Sequence, residues 1–211
     1  MLFRSYHDDL NPGNAVIDRA DPAGHAFELA GADDVSIAQL SITGGYTAVY
    51  AADGADSDRV TLSANSIFGN TRGVYLEASN DDALLSGNVI SATEDYWYGY
   101  AVYLAGERAI AAGVLAYNSY VGIYASGAGS VIAGCDVDDC HYGIQAYGSV
   151  PTDPILVEAN TAHGDPAASV GIYAIGEARV TSNTVWSNYY GIQTQGATVD
   201  GNVVFDNNWG I

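Results

Sequence analysis

The feature that most constrains the fold is a short unit that the sequence repeats. Residues 180–192 read Val-Thr-Ser-Asn-Thr-Val-Trp-Ser-Asn-Tyr-Tyr-Gly-Ile, and residues 199–211 read Val-Asp-Gly-Asn-Val-Val-Phe-Asp-Asn-Asn-Trp-Gly-Ile. In both copies an apolar residue is followed by two Asn positions and a closing Gly-Ile pair. Apolar residues that alternate within short runs, interrupted by Asn and Gly, are typical of strands joined by turns.

The same unit can be placed on most of the chain, because its closing pair returns at intervals of 19 to 28 residues. A unit this short cannot bury its apolar side alone, so units must stack and cover one another. Stacked strands pair in parallel about 4.8 Å apart, and residues at equivalent positions then form columns. The closing pairs are Ala26-Phe27, Ala48-Val49, Gly73-Val74, Ala101-Val102, Gly122-Ile123, Gly143-Ile144, Gly171-Ile172, Gly191-Ile192 and Gly210-Ile211.

The signature Asn-x-Val-x-x-Asn-x-x-Gly-Ile resembles the repeats of right-handed parallel β-helix proteins of the pectin-lyase-like superfamily. The resemblance covers residues 14–211 and implies an all-β solenoid of about eight to nine coils, preceded by an irregular segment at residues 1–13. A leucine-rich repeat is the competing solenoid, since it shares the apolar-x-x-Asn rhythm. Few Leu, irregular unit lengths and no helical segment between strands disfavour it. The signature indicates a fold and carries little functional information.

The two ends of the chain are interpreted as those of a fragment. Leu2-Phe3-Arg4-Ser5 resembles a translated sequencing-adaptor end, which would make part of residues 1–13 an artefact; an ordinary N-terminus is the alternative. The chain stops at Ile211 within a coil, and an uncapped β-helix end exposes unpaired strand groups. We therefore expect the β-helix to be truncated at its C-terminus and to continue in the remaining coils of a parent chain.

The charge of the chain disfavours some classes of binding partner. The formal net charge is −19, the six cationic residues are all Arg, and no Lys is present. Because binding to phosphates requires clustered cations, this balance argues against nucleic acid and anionic membranes. No run of about 18 apolar residues could insert into a membrane. We expect an extracellular or cell-surface protein, although residues 1–5 lack the apolar region of a secretion signal.

Strand alternation predicts a row of outward-facing tyrosines one residue after each closing pair. Aromatic rows beside polar groups bind polysaccharides, because sugar rings stack on aromatic faces while their hydroxyl groups need hydrogen-bond partners. The alternative is a structural ladder in which the tyrosines stack on one another. The predicted column is Glu28, Tyr50, Tyr75, Tyr103, Tyr124, Gln145, Tyr173 and Gln193.

Two insertions suggest a groove over part of this column. Residues 94–100 and 165–170 lengthen the same turn three coils apart, so roughly 14 Å separates them. Extra loops on a repeat scaffold often carry function. We expect two walls with a floor of tyrosine and glutamine between them. The predicted substrate-binding residues are Trp97 in the first wall, His141 nearby, and Tyr103, Tyr124, Gln145 and Tyr173 in the floor.

A second column could carry catalysis. Tyr117, Asp138 and His163 occupy equivalent positions in successive coils, about 5 Å apart. A carboxylate can orient an imidazole, and a tyrosine hydroxyl can transfer a proton, as elimination or epimerisation at a uronate C5 requires. The chance occurrence of three polar residues in one column is the alternative. If the protein is an enzyme, we expect a polysaccharide lyase, an epimerase or a glycoside hydrolase.

The motifs of the resembled enzymes are incomplete in this chain. Asp138-Asp139 matches the paired Asp of polygalacturonase-like hydrolases, but their Gly-His-Gly and Arg-x-Lys motifs are missing. Asp165-Pro166-Ala167 lacks the His of the epimerase motif Asp-Pro-His. Pectate-lyase-like members use an Arg or Lys base, and none of the six Arg residues belongs to the predicted floor or walls of the groove. The resemblance therefore does not assign a reaction.

Acidic turns and two cysteines complete the candidates. Asp53, Asp56 and Asp58 could supply oxygen ligands for Ca²⁺, although a solvated acidic surface is favoured. Cys135 and Cys140 occupy positions that hold Asn in other coils, so we expect buried fillers in place of a disulfide or a zinc site. The Asn positions themselves are predicted to bond turn backbone. Further acidic residues in the same turn are Asp33, Asp34, Asp81, Asp82 and Glu107.

Two functions remain open. The first is a β-helix module of a secreted or surface protein that contacts or processes a polysaccharide or cell-surface glycan through the tyrosine-lined groove. The second is a non-enzymatic spacer or adhesin segment of a longer surface protein, in which only the number of coils matters. A tyrosine column that ends at the two insertions would favour the first function, and an even column would favour the second.

Overall fold

The computed structural model describes residues 2–4, 15–92 and 99–211, and within them only strands, turns and bends are present. No helix there is suited to spanning a membrane. The strands are β1 (Leu2–Arg4), β2 (Ala15–Leu29), β3 (Ser36–Ala38), β4 (Leu40–Ala51), β5 (Thr61–Ser63), β6 (Ser66–Ile67), β7 (Arg72–Leu76), β8 (Leu84–Ser86), β9 (Val89–Ser91), β10 (Tyr100–Leu104), β11 (Ile110–Ala112), β12 (Leu115–Ala125), β13 (Val131–Ala133), β14 (Asp136–Gly148), β15 (Ile155–Glu158), β16 (Thr161–His163), β17 (Val170–Gly176), β18 (Ala178–Thr181), β19 (Thr184–Trp186), β20 (Tyr190–Gln195), β21 (Thr198–Asp200) and β22 (Val203–Phe205).

The strands form the predicted right-handed parallel β-helix. An eight-stranded sheet takes one short strand from each turn, in the order β21-β18-β15-β13-β11-β8-β5-β3, which gives a solenoid of about eight turns. The other described strands form a 14-stranded sheet that wraps the remaining sides. Apart from β1, every strand pairs in parallel with its equivalent in the adjacent turn. The all-β fold expected from the repeat is confirmed.

The segment expected to be irregular contains one short strand. Residues 2–4 form β1, which pairs antiparallel with β2 through the partners Leu2↔Asp18 and Arg4↔Val16. β4 pairs with one edge of β2, and β1 covers part of the other edge, where a free strand edge would be a template for another strand. The rest of the segment for which we expect irregular structure, residue 1 and residues 5–13, lies outside the described residues.

The interior is filled by columns of aliphatic side chains. One inward-facing position of the repeat holds, for example, Ile42, Ile67 and Ile90, each at most 1% exposed. Alternation places their neighbours on the outside, as in β8, where only the central Leu85 is buried. Truncating such a side chain to Ala would cost about 2–5 kcal/mol of stability.

A sharp corner separates the eight-stranded sheet from the next side. At this corner of each coil, one residue in the left-handed conformation changes the direction of the chain. Gly fills the position in four turns, while Gln39 (φ 56°), Ala64 (φ 52°), Ala159 (φ 54°) and Ser182 (φ 57°) adopt the same conformation despite their side chains. Left-handed backbone is unfavourable for such residues, so the surrounding contacts must stabilise the corner.

The residue after this corner supplies that stabilisation through a ladder of buried asparagines. The Asn160 carboxamide oxygen accepts a hydrogen bond from the Cys135 N–H at 2.9 Å, and its nitrogen donates to the Ile132 carbonyl at 2.9 Å. The same pair of bonds links each ladder asparagine to the preceding turn. The predicted structural role of this position is confirmed. The ladder residues are Asn65, Asn88, Asn160, Asn183 and Asn202.

Val114 and Cys135 interrupt the ladder in the middle of the solenoid. Cys135 and Cys140 are both buried, which confirms the expectation of buried fillers. The Cys135 thiol lies 3.4 Å from the Ala111 carbonyl and donates to it, in place of the missing carboxamide. Burial raises the pKa of this thiol to about 11, so the thiol form persists at neutral pH.

The ladder generates a stability prediction. Asn183→Ala should lower the free energy of unfolding by about 2–5 kcal/mol, because it leaves the buried Asn160 N–H and Val157 carbonyl without partners. Asn202→Ala removes the same two kinds of bond in the last turn, where water can replace them, and should cost about 1 kcal/mol. Urea unfolding followed by circular dichroism measures both values. Equal losses would contradict the ladder's role in burying these groups.

Candidate functional site

The predicted tyrosine column exists as a register of directly paired residues. Tyr50 pairs with Tyr75, Tyr75 with Tyr103, and Tyr103 with Tyr124. Beyond them Tyr124 pairs with Gln145, Gln145 with Tyr173, and Tyr173 with Gln193. The column continues past the first insertion towards the N-terminus through Tyr75 and Tyr50, so its extent does not separate the two functional hypotheses.

The central tyrosines of the column stack on one another. The ring centroids of Tyr75 and Tyr103 lie 4.1 Å apart at 8° between planes, and those of Tyr103 and Tyr124 lie 4.5 Å apart at 4°. Both faces of Tyr103 are therefore covered. Burial raises the pKa of Tyr103 well above its ordinary value. The expected floor cannot offer a stacking face at Tyr103.

Tyr100 lies across the ladder. Its ring is nearly perpendicular to those of Tyr75, Tyr103 and Tyr124, with centroid distances of 5.9, 5.3 and 6.1 Å. Since the faces of Tyr103 are covered, the contact at 5.3 Å brings the edge of Tyr103 to a face of Tyr100. The other face of Tyr100 points away from the ladder, and the ring lines a cavity.

That cavity lies where glutamine interrupts the column. Coil four reads Tyr124-Ala125-Ser126, whereas coil five reads Gln145-Ala146-Tyr147. Gln145 pairs with Tyr124, so the aromatic ring of coil five belongs to Tyr147, at the next outward position along the strand. Gln145 is only 8% exposed. A cavity of about 410 Å³ has formed beside it, lined by Tyr100, Tyr120, Tyr142, Tyr147 and Tyr173 together with Gln145 and Gln193. We call it the Gln145 cavity.

Tyr147 spans the interruption and was not singled out by the sequence. Its ring centroid lies 5.4 Å from that of Tyr124 and 5.9 Å from that of Tyr173. Burial, with the neighbouring tyrosines, raises the pKa of Tyr147 to about 12. The same alternation that places Gln145 outside also places the residue two positions later outside, so the signal for Tyr147 was present.

A smaller cavity of about 210 Å³ lies below the second insertion. The insertion is a compact turn in which the Asp165 carboxylate accepts the Ala167 N–H at 2.8 Å, and the Ser169 hydroxyl donates to the Asp165 carbonyl at 2.7 Å. The lining of the cavity includes Tyr120, Asp139, His141, Asp165 and Ser169. We call it the Asp139 cavity, and Tyr120 lines both cavities.

His141 belongs to the Asp139 cavity and not to the tyrosine column. Its ring stacks on Tyr120 with 5.0 Å between centroids and 8° between planes, and it meets Tyr142 edge-on at 4.9 Å. Burial lowers the pKa of His141, so the imidazole is neutral at neutral pH. Trp97, the sixth predicted substrate-binding residue, lies outside the described residues.

The predicted catalytic column occurs on the adjoining side of the solenoid. Tyr117 pairs with Asp138, and Asp138 pairs with His163. His163 Nδ1 is 2.8 Å from an Asp138 carboxylate oxygen, and His163 Nε2 is 3.5 Å from one of Asp136. Trp186 covers the imidazole at 4.3 Å. None of the three predicted residues lines the Gln145 or the Asp139 cavity.

The acidic turns form a ladder of their own. The carboxylates of Asp33, Asp58 and Asp81 each accept a backbone N–H from the following turn, at 2.8 to 3.0 Å. Arg59 binds Asp34 through two hydrogen bonds of 2.7 and 3.1 Å, which lowers the pKa of that carboxyl group, and Arg108 binds Asp82 in the same way. These carboxylates hold backbone and guanidinium groups, and in the described part of the chain no group of three or more His, Cys, Asp or Glu could hold a metal ion.

The fold and the repeat define a right-handed parallel β-helix protein. Two families match: "Right handed beta helix region" over residues 101–211 and "Periplasmic copper-binding protein (NosD)" over residues 4–150. The chain belongs to the NosD family of β-helix proteins. No curated protein sequence matches it.

One solved structure supports the fold. The A-module of the mannuronan C-5 epimerase AlgE4 from Azotobacter vinelandii is similar with a TM-score of 0.58 and 14% sequence identity, over 84% of this chain. The chain spans 55% of the length of that structure. The pentapeptide repeat protein HetL from Nostoc matches with a TM-score of 0.26 and 10% identity, over 87% of this chain and 90% of its own. At this identity the first similarity indicates the fold alone.

The buried tyrosine cluster generates a prediction for alkaline pH. The pKa of Tyr147 is raised from 10.0 to about 12, so its protonated form is favoured in the folded protein. This contribution is present below pH 10 and is lost as the pH rises through about 12. The free energy of unfolding should therefore fall more steeply over this interval in the wild type than in Tyr147→Phe. Urea titrations at several pH values measure the difference, and identical slopes would contradict the burial of this hydroxyl group.

Proposed function

We propose that this chain is a carbohydrate-binding β-helix module that holds a polysaccharide along its tyrosine-rich side, with one sugar unit in the Gln145 cavity. The observation that carries the proposal is the interruption of the tyrosine column at Gln145. Where the column is unbroken, the rings cover one another. Where it is broken, five tyrosines and two glutamines surround a cavity of about 410 Å³.

The composition of this cavity suits a sugar ring. Binding sites of 300 to 1,000 Å³ with aromatic walls and a few placed polar groups are typical for small ligands. Tyr100, Tyr142 and Tyr147 supply aromatic surface, and the Gln145 and Gln193 amides supply both donors and acceptors. A pyranose needs an apolar face and hydrogen-bond partners at its rim, because its own surface is divided in this way.

The comparisons support a role outside the cytoplasm. The NosD family is described as periplasmic, and the AlgE4 module belongs to an enzyme that acts on the polysaccharide mannuronan. We therefore propose that this module works in the periplasm or at the cell surface, on a polysaccharide. A spacer or adhesin segment is the competing function, and it requires no ligand in the Gln145 cavity.

Copper, which the family description names, does not fit the described residues. Copper ions favour clustered His, Cys and Met ligands. Cys135 and Cys140 are buried, and their thiols donate to backbone carbonyls. His141 and His163 are engaged with other aromatic rings, and no group of three or more ligating side chains occurs in residues 15–92 or 99–211. The proposed function involves no copper.

A catalytic function at Tyr117, Asp138 and His163 is the second candidate. The contact of 2.8 Å between His163 Nδ1 and the Asp138 carboxylate favours it, because such a contact fixes the tautomer and leaves Nε2 as the proton acceptor. In this hypothesis His163 removes the C5 proton of a uronate and Tyr117 returns or delivers a proton, as a lyase or an epimerase requires.

Binding is tested by completing the tyrosine column. The double variant Gln145→Tyr/Tyr147→Ser gives residues 143–147 the sequence Gly-Ile-Tyr-Ala-Ser found at residues 122–126, so it should fold normally and fill the cavity with a ladder ring. On an array of neutral, amino and uronic acid oligosaccharides, we expect the wild type to bind and the double variant to bind at least about 10-fold more weakly. Gln195→Tyr, which adds the same side chain outside the cavity, is the control. Absence of binding by the wild type would leave the spacer function.

Catalysis is tested by removal of the uronate C5 proton. Wild-type protein incubated with alginate or polygalacturonate in deuterated water should either introduce deuterium at C5, as an epimerase does, or form the C4–C5 double bond of an elimination product, as a lyase does; NMR detects both. Asp138→Asn should reduce the rate about 100-fold or more, because it removes the group that orients His163. Asp200→Asn, in β21, is the control with the same chemical change. Neither deuterium at C5 nor a C4–C5 double bond with the wild type would rule out a lyase or epimerase at this column.

A further inference from the structure

The Asp139 cavity differs in charge from the Gln145 cavity. It brings together two carboxylate side chains, Asp139 at the corner of coil five and Asp165 at the start of the second insertion. Asp139 is held in the left-handed conformation (φ 48°), and the Asp165 carboxylate already accepts the Ala167 N–H. Both residues are exposed, so the cavity offers negative charge to a ligand from two chain segments.

Two aromatic rings form the other part of this cavity. Tyr120 and His141 stack in parallel at 5.0 Å, and both belong to the lining. Aromatic faces attract cations, and they also support the apolar face of a sugar. Burial lowers the pKa of His141, so at neutral pH the imidazole adds no positive charge to oppose the carboxylates.

No cationic group balances these carboxylates among the described lining residues. Arg is absent from the lining of both cavities. Arg19, Arg59 and Arg108 form ion pairs with aspartates elsewhere, and Arg72 lies over Tyr46 and Tyr75. With a net charge of −19, the protein repels polyanions and attracts cations. A uronic acid polymer is therefore disfavoured at these cavities.

The two cavities adjoin at one residue. Tyr120 lines both of them, so a glycan with one unit at Gln145 would extend its neighbouring unit towards Asp139 and Asp165. We infer that the polysaccharide carries free amino groups, and that the Asp139 cavity binds the ammonium group of a hexosamine unit between Asp139 and Asp165. This inference rests on the proposed function and names the class of its ligand.

The role of each group follows from ordinary chemistry. The ammonium group donates charge-assisted hydrogen bonds to the carboxylates, and the sugar ring packs against the Tyr120–His141 pair. An N-acetylated unit carries an amide at the same position and has no charge to neutralise. The site should thus distinguish free amines from their acetylated forms, and its preference should weaken as salt screens the charges.

The experiment compares three oligosaccharides of the same length: glucosamine, N-acetylglucosamine and glucose tetramers. Isothermal titration calorimetry at neutral pH should give at least about 10-fold tighter binding of the glucosamine tetramer than of the other two. Asp139→Asn/Asp165→Asn should reduce the affinity for the glucosamine tetramer to that for the acetylated one, and should leave the affinity for the acetylated one unchanged.

A matched control separates the site from general attraction to an acidic protein. Asp206 occupies the same left-handed corner as Asp139 (φ 52°), and Asp200 is exposed in β21. Asp200→Asn/Asp206→Asn removes the same two charges and should retain the preference for the amine. Equal losses in the two double variants would overturn the inference.

The outcomes distinguish this inference from the function on which it rests. Binding of all three tetramers with equal affinity, abolished by Gln145→Tyr/Tyr147→Ser, would contradict the amine preference and leave the carbohydrate-binding function intact. Preference for uronic acid oligosaccharides over amino oligosaccharides on the array would overturn the inference in the opposite direction. Binding of none of the three tetramers would contradict the inference, and binding of no oligosaccharide on the array would contradict the carbohydrate-binding function as well.

Discussion

The structure depends on one constraint, which is that each coil pairs in parallel and in register with the next. Backbone hydrogen bonds set the spacing, and the buried asparagines fix the corners where the chain adopts an unfavourable left-handed conformation. Asn160, for example, bonds the backbone of Cys135 and Ile132 in the preceding turn. Because register is fixed at the corners, residues at each of the remaining positions of the repeat also stack in columns.

The candidate site arises from a break in one of these columns. Aromatic residues at the repeat distance cover one another's faces, as the parallel rings of Tyr75, Tyr103 and Tyr124 do. An unbroken ladder stabilises the fold and has little to offer a ligand except edges and hydroxyl groups. Gln145 breaks the ladder, Tyr147 lies across the break, and a cavity with mixed aromatic and amide walls results. The insertion at residues 165–170 adds a second, acidic cavity next to it.

The sequence predicted whatever depends on the repeat alone. The β-helix, the tyrosine register, the buried cysteines and the adjacency of Tyr117, Asp138 and His163 all follow from the spacing of equivalent residues. It could not predict the angle of a ring, which depends on side-chain torsions and on neighbours in other coils. It also did not reveal that aspartates of the acidic turns would bind backbone amides, because that bond links two coils at a corner of irregular length. The sequence also did not predict the Asp139 cavity, because the insertion that covers it does not follow the repeat.

The central claim is that the broken tyrosine column is the place where a glycan binds. A crystal structure of the chain grown with the oligosaccharide that binds it most tightly tests this claim most directly. The account predicts a sugar ring beside the Gln145 amide, in contact with Tyr142 or Tyr147, while the stacked rings of Tyr75, Tyr103 and Tyr124 stay in place. A glycan bound on another side of the solenoid, with the Gln145 cavity holding only solvent, would contradict it.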